Sequence, residues 1–387
     1  MPRSKGYDGV YIVGAGQAAY EKRADRPVQR VLWEALDAAL GSAGLSMRDV
    51  DGLAATAFVL PPDNVTTLAE HFGLAPRWLF QGLYGGASGV ISVLHAARAI
   101  QAGDAEVVAC IAADVFDTAA HDDMLDHFNG SVRDYMAPFG FGGANGTFAL
   151  HTRLYMEKHG ATRADFGRLC VAQRENALLN PNALFKKPLS LEDYLNARVI
   201  ADPLRLFDCV HPCTGGDAVI LAHERVAERL DVPLVRILGG GEQHNYPPDD
   251  IYGLVSGCDA FAERMYAQAG CGPEDLDFAQ LYDDYPVMAF IQLEGLGVTR
   301  PGETADFIRT RDVTVRGGFP INTGGGQLSA GQAGASGGMI GVYEAVAQLR
   351  GDAGERQVAC RQGVVSGYGM VGYGRGLSSS AAILARA

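Results

Sequence analysis

A chain of 387 residues that is 48% hydrophobic and 20% charged is long enough for two fused α/β units of similar size and has an ordinary soluble composition. Its formal charge of −13 argues against a nucleic-acid partner, because phosphates are neutralised by basic surface. No apolar run approaches the roughly 18 residues of a membrane span, and no signal-peptide core is visible, so a cytoplasmic protein is expected.

The chain opens with a strand over 10–13, a glycine turn at Gly14-Ala15-Gly16, and a helix from about 27 to 43 closed by Gly44 as a glycine C-cap. The turn lacks the third glycine of a dinucleotide loop, which excludes NAD binding. A second apolar run covers 52–60. Gly86-Ala87-Ser88-Gly89 then begins an alanine-rich helix through Gln101, followed by a strand over 106–113. An excursion from about 117 to 203, rich in His, Phe, Met and Tyr, carries helices over 148–158 and 164–180. Long excursions on a regular scaffold usually build a pocket, so this one is expected to form a lid.

Seven cysteines, scattered and odd in number, are expected to be free thiols. Cys209, His211 and Cys213 lie close together, but a structural zinc takes four ligands and no second pair is near, so no metal site is expected.

The second half replays the first. A β-like run over 234–238 ends in Gly239-Gly240-Gly241, and a helix over about 258–269 closes on Gly270, 226 residues after Gly44. Gly334-Ala335-Ser336-Gly337 begins another helix 248 residues after Gly86, followed by a strand over 363–366. Such parallel order is a repeat signal, and the alternation of strands and helices predicts an α/β fold made of two duplicated halves, 1–225 and 226–387. The growth in offset places an insertion near 285–325.

The residues Tyr84-Gly85-Gly86-Ala87-Ser88-Gly89, Tyr155-Met156-Glu157-Lys158-His159-Gly160, Leu281-Tyr282-Asp283-Asp284-Tyr285 and Pro320-Ile321-Asn322-Thr323-Gly324-Gly325-Gly326 together resemble the thiolase superfamily over essentially the whole chain. The resemblance is to the branch of sterol-carrier-protein thiolases and lipid-transfer-protein aldolases. It implies thiolase-like halves packed around a shared five-layered core. In a working thiolase the elbow carries a cysteine whose thiol pKa is lowered by the helix N-terminus; Gly86 stands there. The histidine of a second motif is replaced by Gln332, and the Asn or His of a third by Tyr282. The aldolase branch also lacks the cysteine and has a tyrosine in Tyr-Asp-x-Phe. The second tyrosine that it uses near the Gln332 position is missing here.

The function so implied is retro-aldol cleavage of a β-hydroxyacyl-CoA to a ketone or aldehyde and a shorter acyl-CoA. Tyr282, assisted by Asp283, is expected to take the hydroxyl proton, and Gln332 with backbone amides near Gly86 and Gly369 to hold the oxyanion. An unassisted tyrosine has a pKa near ~10, so this role demands help. Gly86, the elbow's Ser88, and Gly369 are expected to meet substrate. His151 and Tyr155, four apart on one face of the lid helix, are further candidates, although a core position is the commoner fate of such a histidine. Lys186 and Lys187 could meet coenzyme A phosphates, though such a pair is usually just solvated. Coenzyme A enters as a substrate thioester, with no bound cofactor expected. A homodimer is implied, and a small subunit with an OB-fold and a zinc ribbon would make a heterotetramer. The competing readings are a non-catalytic homologue that binds acyl-CoA or scaffolds a partner, and a thiolase that recruits a remote cysteine.

Overall fold

The computed structural model describes residues 6–141, 143–249 and 253–387. Nine strands form one sheet: β1 (Val10–Glu21), β2 (Gly52–Thr56), β3 (Trp78–Gln81), β4 (Val107–Val115), β5 (Thr214–His223), β6 (Val235–His244), β7 (Ala279–Gln280), β8 (Gln362–Gly372) and β9 (Arg375–Arg386). Their spatial order is β3-β2-β4-β5-β1-β6-β9-β8-β7. Read outward from the centre, β1, β5, β4 and β2 match β6, β9, β8 and β7 in order and in direction, the last pairing of each half being parallel. An isolated parallel bridge from Ala279 to Ile321 stands where β3 pairs with β2 in the first half. The halves meet where Tyr11 and Ile12 lie antiparallel to Arg236 and Val235. The expected boundary at 225/226 falls in the short helical turn Glu224–Ala227 between β5 and β6, and we propose that the division lies in this link.

The helices that matter here are α1 (Val28–Ala43), α2 (Ser88–Ala102), α3 (Thr118–Asp126), α4 (Gly143–His159), α5 (Arg163–Leu178), α6 (Ala262–Ala269), α7 (Pro286–Gly295) and α8 (Ile340–Arg350). α1 buries Val28, Val31, Leu32, Ala35, Leu36 and Ala39, the i, i+3, i+4 stripe of a helix on a sheet, and ends on Gly44 at φ 68°. Between the two half-sheets lie α2 and α8, whose Val90, Leu94, Val342 and Val346 share one core with Val108 and Val219 on one side and Val365 and Leu384 on the other. Separate cores under α1 and under α6 and α7 complete five layers.

The glycine triplets prove to be mid-strand. Gly14 and Gly16 lie inside β1, and a Cβ on Gly16 would sit 2.2 Å from Ala39 N. Gly239 lies inside β6, where a Cβ would sit 2.4 Å from Met265 O. The glycines bring α1 and α6 down onto their strands; they do not turn the chain.

The excursion is also more than a cover. Phe148 and Tyr155 of α4 and Phe166 and Leu169 of α5 are buried in the core of the second half with Phe290 and Leu293 of α7. Helix α3, Phe128 and Val132, with Gly143, Ala144 and Thr147 at the start of α4, roof a cavity. Among the described residues no helix is long and apolar enough to cross a membrane.

Candidate active site

The site forms where the elbow before α2 meets the hairpin of β8 and β9 and the segment entering α7. Tyr84 N donates to Ser88 Oγ at 2.9 Å, closing the elbow. Gly85 has φ +57°, and a Cβ there would lie 2.3 Å from Met370 N. A Cβ on Gly369 would lie 2.2 Å from Gly86 N, so the two backbones touch. A Cβ on Gly86 would lie 2.0 Å from Tyr282 Cε2. The tyrosine ring therefore occupies the space into which any side chain at 86 would project.

Tyr282 Oη donates to Asp284 Oδ2 at 2.7 Å, and the Gln332 amide also reaches the phenol. Burial first, then the Asp284 charge and its hydrogen bond, hold the Tyr282 pKa well above the usual 10.0. Burial pushes Asp284 up to about 7, with the Tyr282 hydrogen bond pulling down and the Asp283 charge pushing up. Gln327, in the amide orientation that satisfies its neighbours, donates to Asp284 Oδ1 at 3.0 Å. Gln332 is 5% exposed; its Oε1 accepts from Gly334 N at 3.0 Å, and its backbone pairs with Pro212.

These groups line a cavity that is partly open to solvent. Tyr282, Asp284, Gln332, Gly86 and Gly369 stand at one side, and Phe58, Met124, Leu125, Phe128 and Met288 make apolar walls. Among the described residues no cysteine lines it. Cys110, the nearest in sequence to the elbow, is fully buried and its thiol is pushed far up by burial. All seven cysteines are unpaired, and no group of three or more His, Cys, Asp or Glu side chains that could hold a metal is found among the described residues.

Five candidate site residues face elsewhere. Asp283 accepts from Gln173 Nε2 at 2.9 Å and from Gln327 N at 2.9 Å, holding the helical turn Gly326–Ala330. It lines a narrow polar cleft behind the cavity with Gln280 and Asn322. In extended chain alternate residues share a face, so Tyr282 and Asp284 point one way and Asp283 the other. Ser88 is fully buried as the elbow's lock. His151 packs edge-on to Phe148 with ring centroids 5.3 Å apart. Tyr155 donates to Glu294 and packs on Phe290 within the core. Lys186 is held by the carbonyl oxygens of Asn180 and Pro181.

Of the adjacent acids Asp283 and Asp284 the sequence favours Asp283 for the site, and one further residue is not legible in it. The signal for Asp284 is the alternation in Tyr282-Asp283-Asp284. His121, on α3, lines the cavity; nothing in its surroundings in the chain marks it.

Residues 248–386 match the family described as thiolase C-terminal domain-like. The chain is 34% identical over 359 residues to a steroid side-chain-cleaving aldolase of Thermomonospora curvata, covering 88% of this chain and 90% of that protein. It is 34% identical over 362 residues to a 17-hydroxy-3-oxo-4-pregnene-20-carboxyl-CoA lyase of Mycobacterium tuberculosis, covering 88% and 91%. Among solved structures, the Ltp2-ChsH2 aldolase superposes with a TM-score of 0.83 at 32% identity, covering 98% of both chains. An acetyl-CoA acetyltransferase from Syntrophomonas wolfei superposes with a TM-score of 0.71 at 17% identity, a likeness of fold alone.

Proposed function

The chain belongs to the thiolase superfamily, in the branch of sterol-carrier thiolases and thiolase-fold aldolases, and from that premise we propose that it cleaves a β-hydroxyacyl-CoA by a retro-aldol reaction with no covalent acyl-enzyme. It is a carbon–carbon lyase acting on an acyl-CoA thioester. The β-hydroxyl gives its proton to Tyr282 Oη as Tyr282 passes its own to the Asp284 carboxylate. The O–H electron pair becomes the C=O of the departing ketone or aldehyde. The Cα–Cβ pair becomes the enolate of the shorter thioester, which takes at Cα the proton that Asp284 returns through Tyr282 and leaves as acyl-CoA. The backbone amides at Gly86 and Gly369 and the Gln332 amide are the oxyanion donors.

A tyrosine whose pKa is raised is a poor base alone. One hydrogen-bonded to a carboxylate is a relay, and this moves the expected role of Asp283 to Asp284. The observation that carries the reading is the Tyr282 ring packed against the Cα of Gly86 with its hydroxyl on Asp284. The apolar walls and the names of the two curated relatives support a bulky, steroid-like acyl group.

Turnover of a β-hydroxyacyl-CoA tests it. Tyr282→Phe keeps the ring and removes the hydroxyl, so kcat should fall by roughly 10²–10⁴ with little change in substrate binding. Asp284→Asn should fall comparably. Wild-type rate should rise with pH through about 7, as Asp284 becomes a carboxylate. A scaffold would turn over nothing before or after the changes, and retention of rate within about twofold would remove the relay.

A homodimer, extended by a small OB-fold and zinc-ribbon subunit to a heterotetramer, completes the proposal, supported by the two-component name of the aldolase structure. Co-expression followed by sizing reads it directly. The unpaired cysteines support a reducing compartment, the cytoplasm.

A further inference from the structure

We propose that His121 is a polar subsite of the acyl cavity, recognising an uncharged oxygen, a hydroxyl or a carbonyl, carried by the apolar acyl group away from its thioester. The inference rests on the preceding reading that the cavity receives an acyl-CoA.

His121 is 9% exposed and lines the cavity from α3 together with Met124, Leu125, Met288 and Val371. Its ring meets Phe116 edge-on, with centroids 5.5 Å apart. Among the described residues neither ring nitrogen has a hydrogen-bond partner, and burial is the sole influence on the ring's charge. A buried polar group without a partner is costly, and in native proteins such groups are usually satisfied by a bound molecule or water.

The imidazole, held at about 4 by burial, is neutral at physiological pH, so it offers one donor and one acceptor. That pair suits an uncharged oxygen, and burial opposes the protonated ring that would balance a carboxylate's charge. The other polar groups of the cavity are already engaged. Tyr282, Asp284 and Gln332 serve the reacting atoms, and the Thr147 hydroxyl donates to Tyr373 O at 3.4 Å. His121 comes from α3, which also supplies the apolar wall residues Met124 and Leu125, and not from the elbow or the Tyr282 segment.

The test is calorimetric binding of two uncleavable β-hydroxyacyl-CoA thioethers with the same fused-ring acyl group, one carrying a ring ketone and one lacking it. The wild type should bind the ketone roughly tenfold or more tightly, as expected of a buried group that pairs only with the oxygen. His121→Phe should erase the difference between the two ligands, and His121→Gln, which still donates, should keep several-fold of it. Should the phenylalanine variant fail to fold, His121→Ala makes the same comparison. Equal affinities in the wild type, or a preference that survives in the phenylalanine or alanine variant, overturn the subsite alone. No binding of either thioether to the wild type overturns the acyl-CoA reading with it. Because binding is read, the outcome is independent of whether the bond is cleaved.

Discussion

A side chain at position 86 and the ring of Tyr282 exclude one another, since a Cβ at 86 would stand 2.0 Å from the ring. Loss of the elbow's nucleophile and gain of the tyrosine are thus one steric change seen from two sides. Restoring the thiol alone is therefore expected to fail. After incubation with acetyl-CoA, the intact mass of wild type and of Gly86→Cys should be unchanged. Gly86→Cys combined with Tyr282→Ala should gain one acetyl group, because the space is vacated and the N-terminus of α2 favours a thiolate. Acetylation of Gly86→Cys with Tyr282 intact would show that the ring yields. At this scale the sequence made Gly86, Tyr282, Gln332 and Gly369 legible through motif resemblance. It misplaced Asp283, because a motif gives neighbours in sequence, whereas the face of the chain decides which neighbour meets the substrate. It could not reveal His121, whose role depends on a roof that closes over residues far away in the chain.

The repeated elements stand in the order expected, but β3, β5 and β9 and the helices α3 and α7 are not legible in the sequence pattern, and the two misreadings both concern packing, which sequence order does not display. Glycine at 14–16 and 239–241 suggests a turn in the sequence, whereas in β1 and β6 it serves close approach of a helix, which only the packed layers display. The excursion at 117–203 suggests a lid because it interrupts a repeat. Interruption says nothing about burial, and α4 and α5 are core. Asn176 of α5 illustrates the difference: fully buried, it donates to Ile321 O at 3.1 Å and Asn322 O at 3.2 Å and accepts from Val315 N at 2.9 Å. Asn176→Ala leaves these backbone groups without the side chain that satisfies them, so it should cost at least about 1–3 kcal/mol, seen as a lower midpoint in urea. A detachable lid would lose binding with no change in that midpoint.

Across the whole molecule, carboxyls of the first half hold the turn Gly334–Gly338 of the second. Asp114 on β4 accepts from Ala335 N at 2.7 Å and from Val59 N at 2.9 Å. Asp217 on β5 accepts from Ser336 Oγ at 2.5 Å and Tyr20 Oη at 2.6 Å. In return, Arg350 of α8 reaches Ser42 O at 2.9 Å and Val13 O. This seam places Gln332, just before the turn, opposite Tyr282, so the join of the halves and the shape of the site depend on the same buried acids.

Burial raises all of them, Asp114 and Asp284 to about 7 and Asp217 and Asp283 to about 6, against an ordinary 3.8. A carboxyl that binds its proton more tightly folded than unfolded contributes stability that is present at low pH and is lost as pH rises from about 4 to its folded value. His121, pushed down to about 4, and His211, lowered less, act oppositely, adding stability as pH rises towards 6.5. Carboxyls held low, such as Asp51 and Asp165, matter only near and below their ordinary values. Between pH 6.5 and 8 the histidines have finished and the carboxyls near 7 act unopposed, so Tm should fall by a few degrees across this interval. Asp284→Asn should raise Tm at pH 8 by about 1–3 °C and shrink the fall, while lowering turnover by roughly 10²–10⁴. The chain's net negative charge weighs almost equally on both proteins, so the difference between their scanning-calorimetry curves reads the buried site. A Tm that does not fall between pH 6.5 and 8, or an Asp284→Asn variant less stable than wild type at pH 8, would mean that Asp284 ionises at an ordinary pKa and is no acceptor poised near neutrality.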